Sequence, residues 1–151
     1  TGAIEDFNKA IELNPEYANA YYNRGLAKGK QGNYTGAIED YSKAIKLDPE
    51  DTDAYYNRGL AKNKTGDYAG AVKDFTKTIE SDAEDAGAYY NRGVAKEGFG
   101  DKVGAFKDFN KAEELGYKEK VDMKKTIIII LCLLIVVSVI YFYRLRRNKK
   151  R

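Results

Sequence analysis

Apolar and small residues along most of the chain recur at helical rather than alternating spacing. Residues 18–31 form one such segment, and Gly32 after it suits a left-handed helix cap because it has no side chain. Residues 34–47 form the next segment, and Pro49 prevents that helix from continuing. The main apolar positions of the two segments are Tyr21, Tyr22 and Leu26, then Ala37, Ile38, Tyr41, Ala44 and Ile45. The pattern predicts two helices joined by a short turn.

This pair of predicted helices is repeated along the chain. The run that begins at Tyr21, with the sequence YYNRG, returns at Tyr55 and again at Tyr89, each time 34 positions on. A fixed period of this length is typical of arrays in which each unit buries its apolar face against its neighbours. The register divides residues 1–117 into a half unit followed by three whole units. The half unit is 1–17, and the whole units are 18–51, 52–85 and 86–117.

The residues that recur in each unit belong to a recognisable pattern. In the first whole unit they are Tyr21, Gly25, Ala37, Tyr41, Ala44 and Pro49, and the later units carry Tyr55, Gly59, Ala71 and Phe75, then Tyr89, Gly93, Ala105, Phe109 and Ala112. This pattern resembles the tetratricopeptide repeat, a helix-turn-helix unit of 34 residues. The resemblance covers residues 1–117 and implies an all-α solenoid. Gly25, Gly59 and Gly93 are expected where the two helices of a unit approach closely.

The resemblance also implies a binding surface, because first helices of successive units in this family line a concave groove. The positions expected to face the groove are Asn19, Tyr22, Asn23, Leu26, Lys30, Asp53, Tyr56, Asn57, Leu60, Lys64, Tyr90, Asn91 and Val94. Asparagine amides can pair with the backbone of a peptide ligand, and tyrosine rings provide rigid contact area. In the alternative interpretation, the tyrosines only pack between neighbouring helices and the asparagines remain solvated.

One specific ligand of this family is not expected here. The family's clamp for the C-terminal carboxylates of chaperones needs lysine and asparagine where Tyr22 and Leu26 stand, and lysine and arginine where Gly87 and Asn91 stand. Only Asn57 fits that clamp. The sequence therefore does not support the binding of chaperone tails by this arrangement.

The chain departs from the family pattern where a leucine is expected, because Arg24, Arg58 and Arg92 stand there. A buried arginine is rarely without a partner. An aspartate follows each arginine 16 residues later, on the paired second helix; these are Asp40, Asp74 and Asp108. We expect a salt bridge inside each unit, and an anion site along the stack is the alternative.

The composition changes after Gly116. Residues 118–125 are charged and predict a short juxtamembrane helix, whereas Thr126 to Tyr143 are 18 residues without a charge. Such a helix is roughly 27 Å long, close to the hydrocarbon thickness of a bilayer. We expect a single transmembrane helix over 126–143 and a basic tail over 144–151, joined in one helix from about Lys118 to about Arg147. A flexible hinge at 118–125 is the alternative.

The distribution of charge bears on partners and location. Residues 1–117 contain 16 Lys or Arg and 21 Asp or Glu, whereas residues 118–151 contain 10 and 2. Because the basic excess is confined to the end of the chain, it does not indicate nucleic-acid binding. The positive-inside bias favours a cytoplasmic C-terminus. The repeats resemble those of bacterial proteins, so we expect the membrane to be a bacterial inner membrane. The alternative is a tail anchor with the array in the cytosol.

The array begins in mid-unit, so we interpret the chain as a fragment of a longer protein.

Catalytic chemistry has little support in the sequence. The chain has no histidine, and its one cysteine, Cys132, lies inside the apolar segment. No phosphate-binding loop, metal-spaced cluster or nucleophile motif is present in the sequence. We therefore expect no enzyme, cofactor, metal or small-molecule substrate, and favour a scaffold that binds a protein or peptide at a membrane. The alternative is the sensor part of a single-pass signalling receptor whose cytosolic output domain would follow Arg151.

Overall fold

The computed structural model describes residues 2–118, and in this part of the chain every regular element is an α-helix. The helices are α1 (Gly2–Leu13), α2 (Ala18–Lys30), α3 (Tyr34–Leu47), α4 (Thr52–Thr65), α5 (Tyr68–Ser81), α6 (Ala86–Phe99) and α7 (Lys102–Glu114). The predicted all-α repeat array is confirmed. α1 is the second helix of a half unit, and the pairs α2–α3, α4–α5 and α6–α7 are the three whole units.

Local sequence fixes where the helices begin and end. The carboxylates of Asp51 and Asp85 accept hydrogen bonds from the third backbone N–H that follows them, at 2.9 Å, and so cap α4 and α6. α4 ends at Gly66, whose φ of 83° lies in the left-handed region that favours glycine. Gly32 has a φ of 79°, which confirms the turn predicted after the first helix.

The two helices of each unit pack closely because glycine faces an aromatic ring. A Cβ atom at Gly59 would lie 2.9 Å from the Phe75 ring, which is too close for a real contact. Gly25 meets Tyr41 and Gly93 meets Phe109 in the same way, at 2.7 and 2.6 Å. The predicted close approach at the repeated glycine is therefore confirmed in all three units.

Neighbouring units stack through small and apolar side chains. Ala44 and Ile45 of α3 form a buried cluster with Ala54 of α4, and Phe75 of α5 does so with Ala95 of α6. First helices also adjoin each other, α2 with α4 and α4 with α6. This arrangement places the first helices side by side along one face of the array.

The last described helix exposes apolar side chains. Lys102 and Glu113 are polar and exposed, whereas Tyr68 and Ile79 at the same places in the middle unit are half-buried. However, Phe106 is 65% exposed, although the residues at its place in the two preceding units, Ile38 and Val72, pack against buried clusters. The difference arises because no helix among residues 2–118 covers this face of α7.

The membrane prediction falls on another part of the chain. Within residues 2–118, no helix combines the length and apolar character needed to cross a membrane. The predicted transmembrane helix over 126–143 and basic tail over 144–151 lie outside the described residues, as does all of the predicted juxtamembrane helix except Lys118.

Replacing Gly59 by leucine should destabilise the array by about 1–3 kcal/mol, since the new side chain would displace the Phe75 ring from the interface between α4 and α5. Urea or thermal unfolding measures this cost. Ala69→Leu, at an exposed position on α5, serves as a control and should leave stability nearly unchanged. Equal stability of Gly59→Leu and the parent would show that the glycine does not mark a close contact.

Candidate ligand-binding groove

The residues predicted to face the groove share one side of each first helix. On α4, Asp53, Tyr56, Asn57, Leu60 and Lys64 cluster on one side because each residue turns the helix by about 100°. Asp53 and Lys64 are exposed, whereas the three residues between them are half-buried. α2 and α6 repeat the arrangement with Asn19, Tyr22, Asn23, Leu26 and Lys30, and with Tyr90, Asn91 and Val94.

Hydrogen bonds connect these residues across unit boundaries. The Nδ2 group of Asn57 donates to the Tyr22 hydroxyl at 3.2 Å and to the backbone oxygen of Asp53 at 2.9 Å. Asn91 repeats this in the next unit, donating to the Tyr56 hydroxyl at 2.9 Å. Both amide hydrogens of Asn57 are thereby engaged, so its side chain offers a ligand the Oδ1 acceptor rather than a donor and acceptor together.

Each tyrosine of this row also packs inward. The Tyr56 ring lies edge-on to Phe75, with 5.6 Å between ring centres, and Tyr22 lies against Tyr41 at 5.9 Å. Burial, together with the negative charge of Asp85, raises the pKa of Tyr56, so its hydroxyl keeps its proton at neutral pH. The structure thus combines features of both sequence interpretations: the rings pack between helices while the hydroxyls belong to the Tyr–Asn row.

Asn63 adjoins this surface but was not among the predicted groove residues. Its Nδ2 donates to the backbone oxygen of Asn91 at 3.2 Å, whereas its Oδ1 is buried without a hydrogen-bond partner among residues 2–118. An unsatisfied buried acceptor costs about 1–3 kcal/mol. The position lies between Leu60 and Lys64, so the register was the signal that could have identified it. In the other units, glycine or glutamate stands there, at Gly29 and Glu97.

Each unit also contains a buried aspartate on its second helix, away from the groove. Asp74 is 3% exposed and accepts two hydrogen bonds from Arg58, at 2.9 and 2.7 Å. Lys62 donates a third, at 2.9 Å, so one carboxylate is shared by two cations. We call this set an Arg–Asp–Lys triad, and it recurs as Arg24–Asp40–Lys28 and Arg92–Asp108–Lys96. The predicted salt bridge inside each unit is confirmed.

The arginine of each triad also reaches the preceding unit. Arg58 Nη1 donates to Ser42 Oγ on α3 at 3.1 Å, and its guanidinium lies over the Tyr55 ring, 5.4 Å from the ring centre. Arg92 makes the equivalent bond to Thr76, and Arg24 bonds Asn8. A leucine at this position would only pack, whereas the arginine joins three helices through directed bonds.

Matches to family models agree with this geometry. A model described as TPR repeat matches residues 1–32 and 29–66, and one described as tetratricopeptide repeat matches residues 56–117. The chain belongs to the tetratricopeptide repeat family. Proteins built of this repeat are non-catalytic scaffolds, and the described array is such a scaffold.

Several solved structures are similar to this tetratricopeptide repeat array. A crystal structure of MamA is 35% identical with a TM-score of 0.71; the match covers 74% of this chain but 61% of the MamA chain. The Arabidopsis OM64 TPR domain is 30% identical with a TM-score of 0.66, covering 70% of this chain and 87% of that domain. The second TPR domain of human RPAP3, in complex with an HSP70 peptide, is 32% identical with a TM-score of 0.64, covering 68% and 86%. No curated protein matches the chain.

Acid should weaken the triad of the last unit. Burial acts to raise the pKa of Asp108, but hydrogen bonds from Arg92 and Lys96 outweigh it and hold the pKa below its ordinary value. A lowered folded pKa means that the stabilisation is present above the unfolded pKa of about 4 and is lost as pH falls through the folded pKa. The free energy of unfolding should therefore decrease below about pH 4, and Asp108→Asn should make that decrease smaller.

Urea unfolding at several pH values between about 2 and 6 measures this effect. Asp53→Asn is the matched control, because Asp53 is exposed on α4 and belongs to no triad. If the two variants changed the pH dependence equally, the triad would not be its source.

Proposed function

We propose that the groove along α2, α4 and α6 binds an extended segment of a partner protein. The observation that carries this proposal is the row of tyrosines and asparagines, held in place across unit boundaries by the bonds from Asn57 to Tyr22 and from Asn91 to Tyr56. Side chains fixed in this way lose little further freedom when a ligand arrives. The row is therefore suited to recognition as well as to stacking.

The chemistry of the row favours the backbone of a peptide. The Oδ1 atoms of Asn57 and Asn91 can accept hydrogen bonds from peptide N–H groups, and the hydroxyl protons of Tyr22 and Tyr56 can be donated to peptide carbonyls. Leu60 and its equivalents Leu26 and Val94 add apolar contact area between them. Such a surface recognises an extended chain through its repeating amides and selects among side chains by the apolar contacts.

The similar RPAP3 domain supports peptide binding but not the same ligand. Its structure contains the HSP70 peptide SGPTIEEVD, which ends in acidic residues and a carboxylate. The groove of this chain holds Tyr22, Leu26 and Gly87 where the clamp for such tails needs basic or amide side chains. Asp53 and Asp85 add negative charge beside the tyrosine row. These features favour a ligand that is neutral or carries donors over an acidic C-terminus.

The proposal includes a membrane anchor formed by residues 126–143, with the basic tail after it. The uncharged length of that segment and the basic residues that follow it support a single span with a cytoplasmic C-terminus, as in a bacterial inner membrane. An anchored array would hold its partner at the membrane surface. The alternative is a tail anchor with the array in the cytosol. The array would then bind its partner at the membrane surface in the same way, but the partner would be a cytosolic protein.

Replacing Asn23, Asn57 and Asn91 together by alanine should weaken a groove ligand about tenfold, because the row loses its acceptors and the support of two tyrosine hydroxyls. The probe is a peptide selected from a random library against the parent chain, with its dissociation constant measured for both proteins. Lys9→Ala, Lys46→Ala and Lys107→Ala together, at exposed helical positions, form the control. An unchanged dissociation constant in the asparagine variant, with helicity retained, would place the ligand elsewhere.

The anchor can be tested separately by deleting residues 126–143. The parent should remain with membranes after alkaline carbonate extraction, and the deleted form should be released, since only the apolar segment would hold the chain in the bilayer. Protease treatment of sealed vesicles then reports the side on which the array lies. Release of the parent by carbonate would contradict the anchor while leaving groove binding intact.

A further inference from the structure

A pocket lies between α4 and α5, on the opposite side of α4 from the groove. Its volume is about 510 Å³, and its lining includes Tyr55, Arg58, Lys62, Val72 and Lys73. On α4, residues 58 and 62 follow residue 55 by three and seven positions, so the three residues share one side of the helix. That side lies about half a turn around the helix axis from the groove residues. A ligand in this pocket would not compete with one in the groove.

The pocket carries an excess of positive charge. Arg58 and Lys62 share the single carboxylate of Asp74, which leaves one cation of the triad uncompensated. Lys73 is exposed on the wall formed by α5 and has no ion-pair partner among residues 2–118. Lys77, also in the lining, is paired with Glu80 at 2.6 Å. Two positive charges therefore remain around an open space inside an array whose net charge is negative.

The chemistry of the pocket indicates which anion it takes. Arg58 uses its Nε and Nη2 groups on Asp74 and its Nη1 group on Ser42. The ammonium groups of Lys62, which makes one bond to Asp74, and of Lys73 are therefore the donors left for a ligand carboxylate. The Tyr55 ring and Val72 supply apolar surface for the aliphatic part of a glutamate side chain. The pocket thus matches a carboxylate on a short stem.

A neighbouring depression argues against a long polyanion. It has a volume of about 380 Å³, shares Tyr55 and Lys77 with the pocket, and is lined by the acidic residues Glu50 and Glu80. A nucleic acid or an anionic membrane surface lying across both would meet these carboxylates, and the negative array around them would add to the repulsion. A single acidic side chain of a peptide can enter the first pocket without meeting the second.

We propose that this pocket is a second binding site, separate from the groove, for a glutamate-bearing segment of a partner protein. Lys62 and Lys73 contact the ligand carboxylate, and Tyr55 with Val72 contacts its stem. The first whole unit has Glu39 at the place of Lys73, whereas the last unit has Lys107 there but Phe106 at the place of Val72, so the pocket that combines Val72 with Lys73 is that of the middle unit. Glu39 also shows that the repeat accepts a glutamate at this position.

The experiment measures the binding of a labelled peptide with one acidic side chain and an amidated C-terminus, Gly-Ser-Gly-Glu-Gly-Ser-Gly, to the full chain by fluorescence anisotropy at moderate salt. A peptide with glutamine in place of glutamate is the ligand control. Lys73→Glu tests the site, and Lys102→Glu, which makes the same change of charge at an exposed position on α7, is the protein control. Methyl signals of Val72, followed by NMR, report where the peptide lies.

The glutamate peptide should bind at least about tenfold more tightly than the glutamine peptide and should shift the Val72 signals. Lys73→Glu should weaken it about tenfold, whereas Lys102→Glu should change it by less than about twofold. Lys73→Gln provides a second variant if the charge reversal disturbs folding, which circular dichroism would show. Equal effects of Lys73→Glu and Lys102→Glu, absence of binding, or displacement of the peptide by short duplex DNA or anionic vesicles would each overturn the proposal.

Discussion

The buried carboxylate shared by an arginine and a lysine is the interaction on which the array depends. Asp74 is taken out of water on the second helix of its unit, and Arg58 and Lys62 of the first helix satisfy it. A buried charge without such partners would be strongly destabilising. Arg58 also bonds Ser42 of the preceding unit, so the same residue holds a unit together and aligns it with its neighbour. Repeating this triad in every whole unit gives the stack a fixed register.

The triads and the glycine contacts divide the surface of each first helix into faces with different tasks. Gly59 lets α4 lie against the Phe75 ring, and Arg58 and Lys62 turn toward the buried carboxylate. The remaining face carries Tyr56 and Asn57, which bond to neighbouring units and still offer acceptors and hydroxyl protons to a ligand. The glycine contact and the triad therefore occupy two sides of the first helix and leave the groove face available to a ligand. The same contacts hold the groove face rigid.

Most of the fold could be predicted from the sequence because every signal occurs several times. The bounds of α3 follow from apolar spacing, and the pairing of Arg58 with Asp74 follows from an offset that recurs in each unit. The third member of the triad could not be predicted, because a lysine one turn after an arginine is usually a solvated residue. The bond from Asn57 to Tyr22 depends on how closely successive units stack, and no local pattern contains that distance. The register could have placed Asn63 beside the groove, but its bond to the backbone of the next unit depends on the same stacking distance.

The most direct test of this account is a double-mutant cycle on the middle triad, with Arg58→Leu, Asp74→Leu and the combined variant compared by urea unfolding. Leucine is suitable because it is the residue that the family places where Arg58 stands. Each single change should cost roughly 2–4 kcal/mol, because it leaves buried charge with fewer partners. The combined variant should be more stable than the sum of the two predicts, by more than about 1 kcal/mol. Strict additivity of the two costs would contradict the claim that the shared carboxylate holds the array together.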